Sequence, residues 1–237
     1  IPFVTTSSSS KGIFLQAQTS GFDPLKKHEY AIAASYNSEL NKGNFSGIYI
    51  NSTQEIPFQA SSISQSWALG TTLNIVQTTT HALSLLPDIF TLNKNMQFQI
   101  GAQLQETKYY SNSQHWGPFT QLTYKNYEQN LFQISPQSGW GALLKLEKNL
   151  KLQSDDTSVR DFERAALSWI GFASPWLPQH HALKAKISGL FTFSSNLARF
   201  GASSSSTFVE SDGLLPQFVM RGYAPAQFFG RNLWNTK

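Results

Sequence analysis

The side chains that could perform acid–base, nucleophilic or metal chemistry are few and scattered along this chain of 237 residues. Its five histidines, at positions 28, 81, 115, 180 and 181, do not have the spacing of metal ligands. His180 and His181 follow Pro178 in a predicted turn, where two solvated side chains are the expected arrangement. Cysteine is absent, which excludes disulfides and thiolate chemistry. We therefore predict no metal site.

The sequence also lacks the motifs that position the reactive groups of common enzymes. It contains neither a Gly-x-Ser-x-Gly turn for a nucleophile nor a glycine-rich loop for phosphate. Asp155 and Asp156 are adjacent carboxylates, but they lie in a predicted polar loop, where such neighbours are usually solvated. A hydrolase with Ser and His on neighbouring strands is the enzymatic alternative, because serine is abundant. We predict no enzymatic activity and no cofactor.

The composition indicates a surface that does not face water everywhere. Charged residues make up 14% of the chain, against about 25% in an ordinary soluble domain. Aromatic residues also make up 14%, yet the mean hydropathy is −0.28, because Ser, Thr, Gln and Asn are frequent. An apolar outer wall with a hydrophilic interior has this composition. The alternative is a secreted, Ser/Thr-rich β-sandwich.

The net charge of +4 is modest and is spread along the chain. Basic pairs such as Lys26 with Lys27, and Lys184 with Lys186, stand apart from one another, and no basic run alternates with aromatic residues. A nucleic-acid partner is therefore not predicted. No stretch approaches the roughly 18 apolar residues of a transmembrane helix.

Alternation of apolar and polar residues, the period of a β-strand, is the dominant pattern. In 96–105, Met, Phe, Ile, Ala and Leu alternate with four Gln and a Gly. The segments 140–152 and 183–193 alternate in the same way and place Lys145, Glu147, Lys184 and Lys186 opposite the apolar face. Further strands are predicted near 11–22, 28–39, 43–52, 56–67, 68–79, 82–92, 115–127 and 161–173, with a last one near Phe229.

These segments predict about twelve strands, and several have about 11 to 14 residues. Strands of soluble proteins usually have about 5 or 6 residues, whereas a tilted membrane-spanning strand needs about 9 to 11. Segment 161–173 could form a helix, since Asp161 to Arg164 resembles a first helical turn, but its aromatic and branched residues favour a strand. The fold class predicted is an all-β, antiparallel, up-and-down transmembrane β-barrel.

Aromatic residues near the predicted strand ends favour the same fold, since transmembrane barrels carry aromatic girdles at both membrane interfaces. Aromatic residues that close the ends of a soluble core are the alternative. The residues concerned are Trp67, Tyr109, Tyr110, Trp116, Trp140, Trp176 and Trp234.

One connector, residues 196–228, is far longer than an ordinary hairpin loop. Its second half contains Arg221-Gly222-Tyr223, and Gly230-Arg231-Asn232 follows at the start of the next strand. This combination resembles the BamA-type superfamily of outer-membrane assembly and secretion barrels, the bacterial surface antigen family. Members carry an Arg-Gly-Phe/Tyr motif in a long extracellular loop after the eleventh of sixteen strands. A Gly-Gly-Asn-like strand start follows there, and Arg231 departs from it here. The resemblance covers about forty residues, from Phe200 to Lys237.

The resemblance implies that loop 196–228 is extracellular and folds into the lumen, where Arg221 would pair with a carboxylate, Gly222 would allow close backbone approach and Tyr223 would pack flat. The family's acidic partner lies on a strand beyond the loop; within this chain Glu147 is a possible substitute. We expect 1–237 to be one barrel domain excerpted from a longer protein.

The function that the resemblance implies is insertion or translocation of polypeptides at the bacterial outer membrane. Its partners would be outer-membrane lipid, client polypeptides, and periplasmic or accessory domains. Two alternatives remain: a passive porin-like channel constricted by loop 196–228, and a soluble secreted β-sandwich adhesin.

Overall fold

The computed structural model describes residues 3–9, 12–39, 41–69, 74–88, 95–108, 112–127, 138–155, 161–173, 183–193, 198–200, 228–230 and 232–236. These ranges contain β-strands and no helix, and hence no helix long and apolar enough to span a membrane. The strands are β1 (Phe3–Ser9), β2 (Gly12–Phe22), β3 (His28–Asn37), β4 (Lys42–Asn51), β5 (Phe58–Leu69), β6 (Asn74–Leu85), β7 (Met96–Lys108), β8 (Asn112–Asn126), β9 (Gly139–Ser154), β10 (Phe162–Ala173), β11 (Leu183–Thr192), β12 (Ala198–Phe200), β13 (Phe228–Gly230) and β14 (Asn232–Thr236).

The topology is an antiparallel, up-and-down sheet. Strands β1 to β11 pair in sequence order, and β14 joins the edge of β11 as the twelfth strand. The short strands β12 and β13 pair with each other, so the segment between them starts and returns at one place. Within the described residues no pairing joins β1 to β14, and the sheet has two free edges there.

We call the end of the sheet that holds the connectors after odd-numbered strands the upper end, and the opposite end the lower end. The β2–β3 connector at the lower end is a tight turn in which Lys26 has a φ of 52°. The Asp23 carboxylate accepts hydrogen bonds from the backbone N–H groups of His28, at 2.7 Å, and Leu25, at 3.3 Å. The hydrogen bond from His28 is the main reason that the pKa of Asp23 lies below its usual value.

The main sheet has twelve strands, about the number predicted, and β12 and β13 form a separate pair. Two predictions were wrong: a single strand, β6 (Asn74–Leu85), lies where 68–79 and 82–92 were predicted as two strands, and β1 was not predicted. In both places the chain is polar on successive residues, so alternation is lost and the period of a strand cannot be recognised. Segment 161–173 forms the strand β10, as expected, and not a helix. The predicted loop 196–228 includes β12 and the first residue of β13.

The distribution of polar and apolar side chains over the two faces of the sheet is the reverse of that in a soluble protein. We call the face that carries Gln103, Lys145 and Arg164 the inner face, and the face that carries Ile100, Leu144 and Ile187 the outer face. Among the described residues, eleven buried side chains are polar or charged and only six are hydrophobic. On the outer face, Ile100 is 43% exposed and Ile187 41%. The polar face is therefore the concave, more enclosed one.

Polar contacts link neighbouring strands along the inner face. The Gln99 side-chain amide donates to the Ser84 hydroxyl at 2.6 Å, and the hydroxyls of Ser168 and Ser188 lie 3.2 Å apart. A small apolar cluster lies near the lower end of this face, where Leu143, Ile170 and Phe172 are buried. Because buried polar groups must be hydrogen-bonded to be tolerated, these contacts allow a polar face to be enclosed.

Candidate functional site: a charged cluster on the inner face

The four charged residues expected to face inward all lie on the inner face, and the structure brings two of them together. Lys145 and Glu147 occupy adjacent inward positions of β9, and the Lys145 Nζ lies 3.0 Å from the Glu147 Oε2. Lys184 and Lys186, on β11, lie nearer the lower end, paired in register with Phe172 and Ile170 of β10. They belong to the same wall but not to the Glu147 cluster.

Glu147 is the centre of the cluster. Its side chain is 7% exposed, and its Oε1 accepts hydrogen bonds from both Nε and Nη2 of Arg164. Register explains this contact, since Arg164 of β10 pairs directly with Glu147 of β9. The two cations remain 27% and 28% exposed, so the carboxylate is buried beneath Arg164 and Lys145. Charge-assisted contacts from two guanidinium nitrogens to one carboxylate oxygen order the side chains that form them.

Two amides extend the cluster across three strands. The Gln103 Nε2 on β7 donates to the Glu147 Oε2 at 3.0 Å and to the Asn149 Oδ1 at 3.1 Å. The Gln103 Oε1 accepts from the Lys145 Nζ at 3.2 Å. Gln103 is 5% exposed and Asn149 is fully buried, while the Asn149 Nδ2 has no hydrogen-bond partner. The cluster therefore retains one buried donor to spare.

Gly117 of β8 allows Gln103 of β7 to contact Glu147 and Asn149 of β9 across the intervening strand. It lies between the strands that carry Gln103 and Asn149, and it is paired in register with Gln103. A Cβ at this position would lie 1.7 Å from the backbone oxygen of Lys148. Since real atoms cannot approach so closely, only glycine permits the observed packing of β8 against β9.

Two aromatic rings support the cations. The Lys145 Nζ lies 5.0 Å from the ring centroid of Phe119, and the Arg164 Cζ lies 4.7 Å from that of Phe162. Phe119 is itself buried on β8. Such cation–π contacts hold the charged groups over the wall without neutralising them.

Arg164, Gln103 and Asn149 were not singled out from the sequence. Gln103 and Asn149 were recognisable only as polar positions of alternating strands. Arg164 lay in the segment for which a helix was also considered, and its partner depends on register. A charged residue on the polar face of each of two neighbouring strands was the signal that could have identified the pair.

Arg221, Gly222 and Tyr223 lie outside the described residues, so their predicted role as a lumen anchor stays a prediction. Gly230 is the last residue of β13, paired with Ala198, and Asn232 is the first residue of β14, paired with Phe191. The suggested partner of Arg221, Glu147, already receives Arg164, Lys145 and Gln103.

On the outer face, exposed aromatic residues lie near both ends of the strands. Tyr36 and Trp116 lie toward the upper end, and Tyr30, Tyr49 and Trp140 toward the lower end; all five are exposed. Tyr124 packs against Trp140, with the ring centroids 4.4 Å apart and the ring planes tilted by 35°. Along β8, Trp116 and Tyr124 are eight residues apart, which is about 27 Å of strand. Of the expected girdle residues, Trp116 and Trp140 are therefore exposed on this face. Tyr109, Tyr110 and Trp176 lie outside the described residues, as do the side chains of Trp67 and Trp234.

The cluster's chemistry is electrostatic. A buried, fully paired carboxylate offers no free base, and its cations present N–H donors to whatever occupies the inner side. Among the described residues, no three His, Asp or Glu side chains form a group that could hold a metal ion.

The fold is thus an all-β, up-and-down antiparallel sheet with a polar inner face and an apolar outer face. No protein-family model, no curated protein and no solved structure matches the chain.

Proposed function

We propose that the chain forms most of the wall of an outer-membrane β-barrel that inserts or translocates polypeptides. The observation that supports the barrel is that apolar side chains are exposed on one face of the sheet and polar side chains are buried on the other. Large apolar side chains such as Leu146 and Ile187 are exposed, while charged and amide side chains such as Glu147 and Gln103 are buried. In a soluble domain, exposing large apolar side chains to water and burying charged and amide side chains would both be unfavourable. A wall with lipid outside and a hydrophilic interior requires both arrangements.

Three further features support a membrane-spanning wall. Strands β2 to β11 have 10 to 16 residues, which is long enough for tilted crossing of a bilayer. Exposed aromatic residues lie at both ends of the outer face, where interfacial girdles belong. The order of pairing from β1 to β11 is a meander, the topology of transmembrane barrels.

The proposed handling of polypeptides is supported by the resemblance at Arg221-Gly222-Tyr223 and by the position of this motif in the order of strands. Eleven strands precede the long segment, and β14 then continues the sheet beside β11, as expected for a barrel of this superfamily. We propose that the segment folds into the lumen with Arg221 as its anchor, and that the free energy of transfer comes from folding of the client.

The first test is membrane fractionation of the native protein, followed by gel migration with and without heating. Extraction that requires detergent, together with a compact band that heat abolishes, is the expected result. Recovery in the soluble fraction without such a band would refute the barrel and leave the secreted sandwich as the better account.

The second test addresses the polypeptide role. Arg221→Ala should abolish assembly or secretion activity and weaken heat resistance, whereas Lys108→Ala, which removes an outer-face charge, should leave both close to wild type. If the two variants behave alike, the anchor is wrong. The passive channel then becomes the better proposal; the largely polar inner face favours it as the second candidate.

A further inference from the structure

The inner face of β8 to β11 carries a strong excess of positive charge. Within the described part of these four strands, six cations and a single carboxylate, Glu147, lie on this face. On the outer face of the same strands the charges balance, because Lys148 pairs with Glu163 at 3.0 Å. The six cations are Lys125, Lys145, Lys151, Arg164, Lys184 and Lys186.

These cations extend along the whole wall. On β9, Lys151 near the upper end and Lys145 are six residues apart, about 20 Å of strand. At the lower end Lys125 and Lys186 lie in one row across the sheet, with only Gly141 and Ile170 between them. The basic groups therefore form a track from one end of the inner face to the other.

The surroundings of the track strengthen its field. A concave surface lined by one sign of charge, with a low-dielectric wall behind it, concentrates its potential inside the concavity. Arg164 and Lys145 keep about a quarter of their side-chain area exposed above the carboxylate that orders them. All these groups favour an acceptor that carries negative charge.

We propose that this face binds carboxylate-rich segments of polypeptide. An extended chain rises about 3.3 Å per residue, so several Asp or Glu side chains of one segment reach cations that are 10 to 20 Å apart. A small anion cannot span cations that are this far apart and gains no such multiple attachment. The inference rests on the proposed function in one respect, since it requires the inner face to line a water-filled lumen.

The test is a titration of a fluorescently labelled hexaglutamate peptide against folded protein in detergent, followed by fluorescence anisotropy. Wild type should bind, and binding should weaken as salt is raised. Lys125→Gln with Lys184→Gln removes two inner charges and should weaken binding about tenfold, since two modest ion pairs at a wet site are lost. Lys108→Gln with Lys148→Gln removes two outer charges and should leave the affinity unchanged.

Other outcomes overturn the proposal. Equal losses in the two double variants would mean that net charge alone attracts the peptide. Displacement by free glutamate at the same carboxylate concentration would assign the face to small anions. A protein that shows the heat-sensitive compact band and ignores the peptide would refute this inference but leave the barrel intact. A protein without that band would refute both.

Discussion

At the scale of single residues, the stability of the inner wall depends on how Glu147 is paired. Its two oxygens receive Arg164, Lys145 and Gln103, so the ionised carboxylate is compensated although it is almost fully enclosed. Removing one member of a buried ion pair is far more destabilising than never having had the pair, because a charge is left behind without a partner. Two cations would be left behind here.

We expect Glu147→Gln to lower the free energy of unfolding by about 3 kcal/mol, since Arg164 and Lys145 would both lose their carboxylate. The matched control is Glu163→Gln on the outer face, whose salt bridge with Lys148 is half exposed. That change should cost less than about 1 kcal/mol. Urea unfolding of protein reconstituted in lipid vesicles measures both. Equal losses of unfolding free energy in the two variants would show that the Glu147 cluster stabilises the protein no more than an exposed salt bridge does.

A substitution at Gly117 tests the packing beside the same cluster. Gly117→Ala would force β8 away from β9, because the added carbon meets the Lys148 carbonyl oxygen. We expect a loss of about 2 kcal/mol or more, the range of overpacking and strain. Gly43→Ala is the control, since a Cβ there would lie 3.6 Å from the Ser35 backbone oxygen, which is ordinary van der Waals contact. If the two variants unfold at the same urea concentration, the close approach at Gly117 is not needed.

At the scale of strands, the sequence predicted the strands correctly where the two faces of a strand differ in polarity, and it failed where both faces are polar. β7, β9 and β11 alternate over most of their length, and the residues that share each face were assigned correctly. In β1 and in the Thr78-Thr79-Thr80-His81 part of β6, both faces are polar, so no period remained to be read. One strand was missed and another was divided in two. The count of eleven strands before residue 196 was right because these two errors cancelled.

Register is the other property that the sequence did not provide. Lys145 and Glu147 could be assigned to the inner face because they lie two residues apart on one strand. Arg164 joins them only because the β9–β10 pairing places it opposite Glu147. A shift of one residue would turn Arg164 to the outer face. Such pairing depends on the length of the 155–161 connector and on packing, neither of which is encoded in a local pattern.

The outer face of β7 allows a test of the membrane proposal at this scale. Ile100→Arg places a charge near the middle of the apolar face, and near the centre of a bilayer this should cost about 2 to 4 kcal/mol. The control is Gln105→Arg, on the inner face of the same strand. We expect the first variant to insert poorly into lipid vesicles, as judged by the heat-sensitive band, and the second to insert normally. Free insertion of both would argue against a lipid-facing wall.

At the scale of the whole molecule, an up-and-down sheet has two distinct ends. β11 ends and β14 begins at the upper end, where Phe191 pairs with Asn232, and the proposed relationship makes this end extracellular. Outer-face polar groups continue above Trp116 there, where the Gln114 Nε2 donates to the Glu106 Oε1 at 2.6 Å. Connector lengths favour the opposite orientation. Apart from the long segment, the upper connectors have two to seven residues and the lower ones five to twelve, and barrels usually have their shorter turns in the periplasm.

The absence of native cysteine makes the orientation directly measurable. Glu39→Cys places a single thiol in the exposed β3–β4 connector at the upper end, and Glu55→Cys places one in the exposed β4–β5 connector at the lower end. With a membrane-impermeant maleimide on intact cells, we expect Glu39→Cys to be labelled and Glu55→Cys to be labelled only after lysis. The reverse pattern would place the Arg221 segment on the periplasmic side. A segment there could not be the inward-folding extracellular loop of an assembly barrel, and the passive channel would become the better proposal.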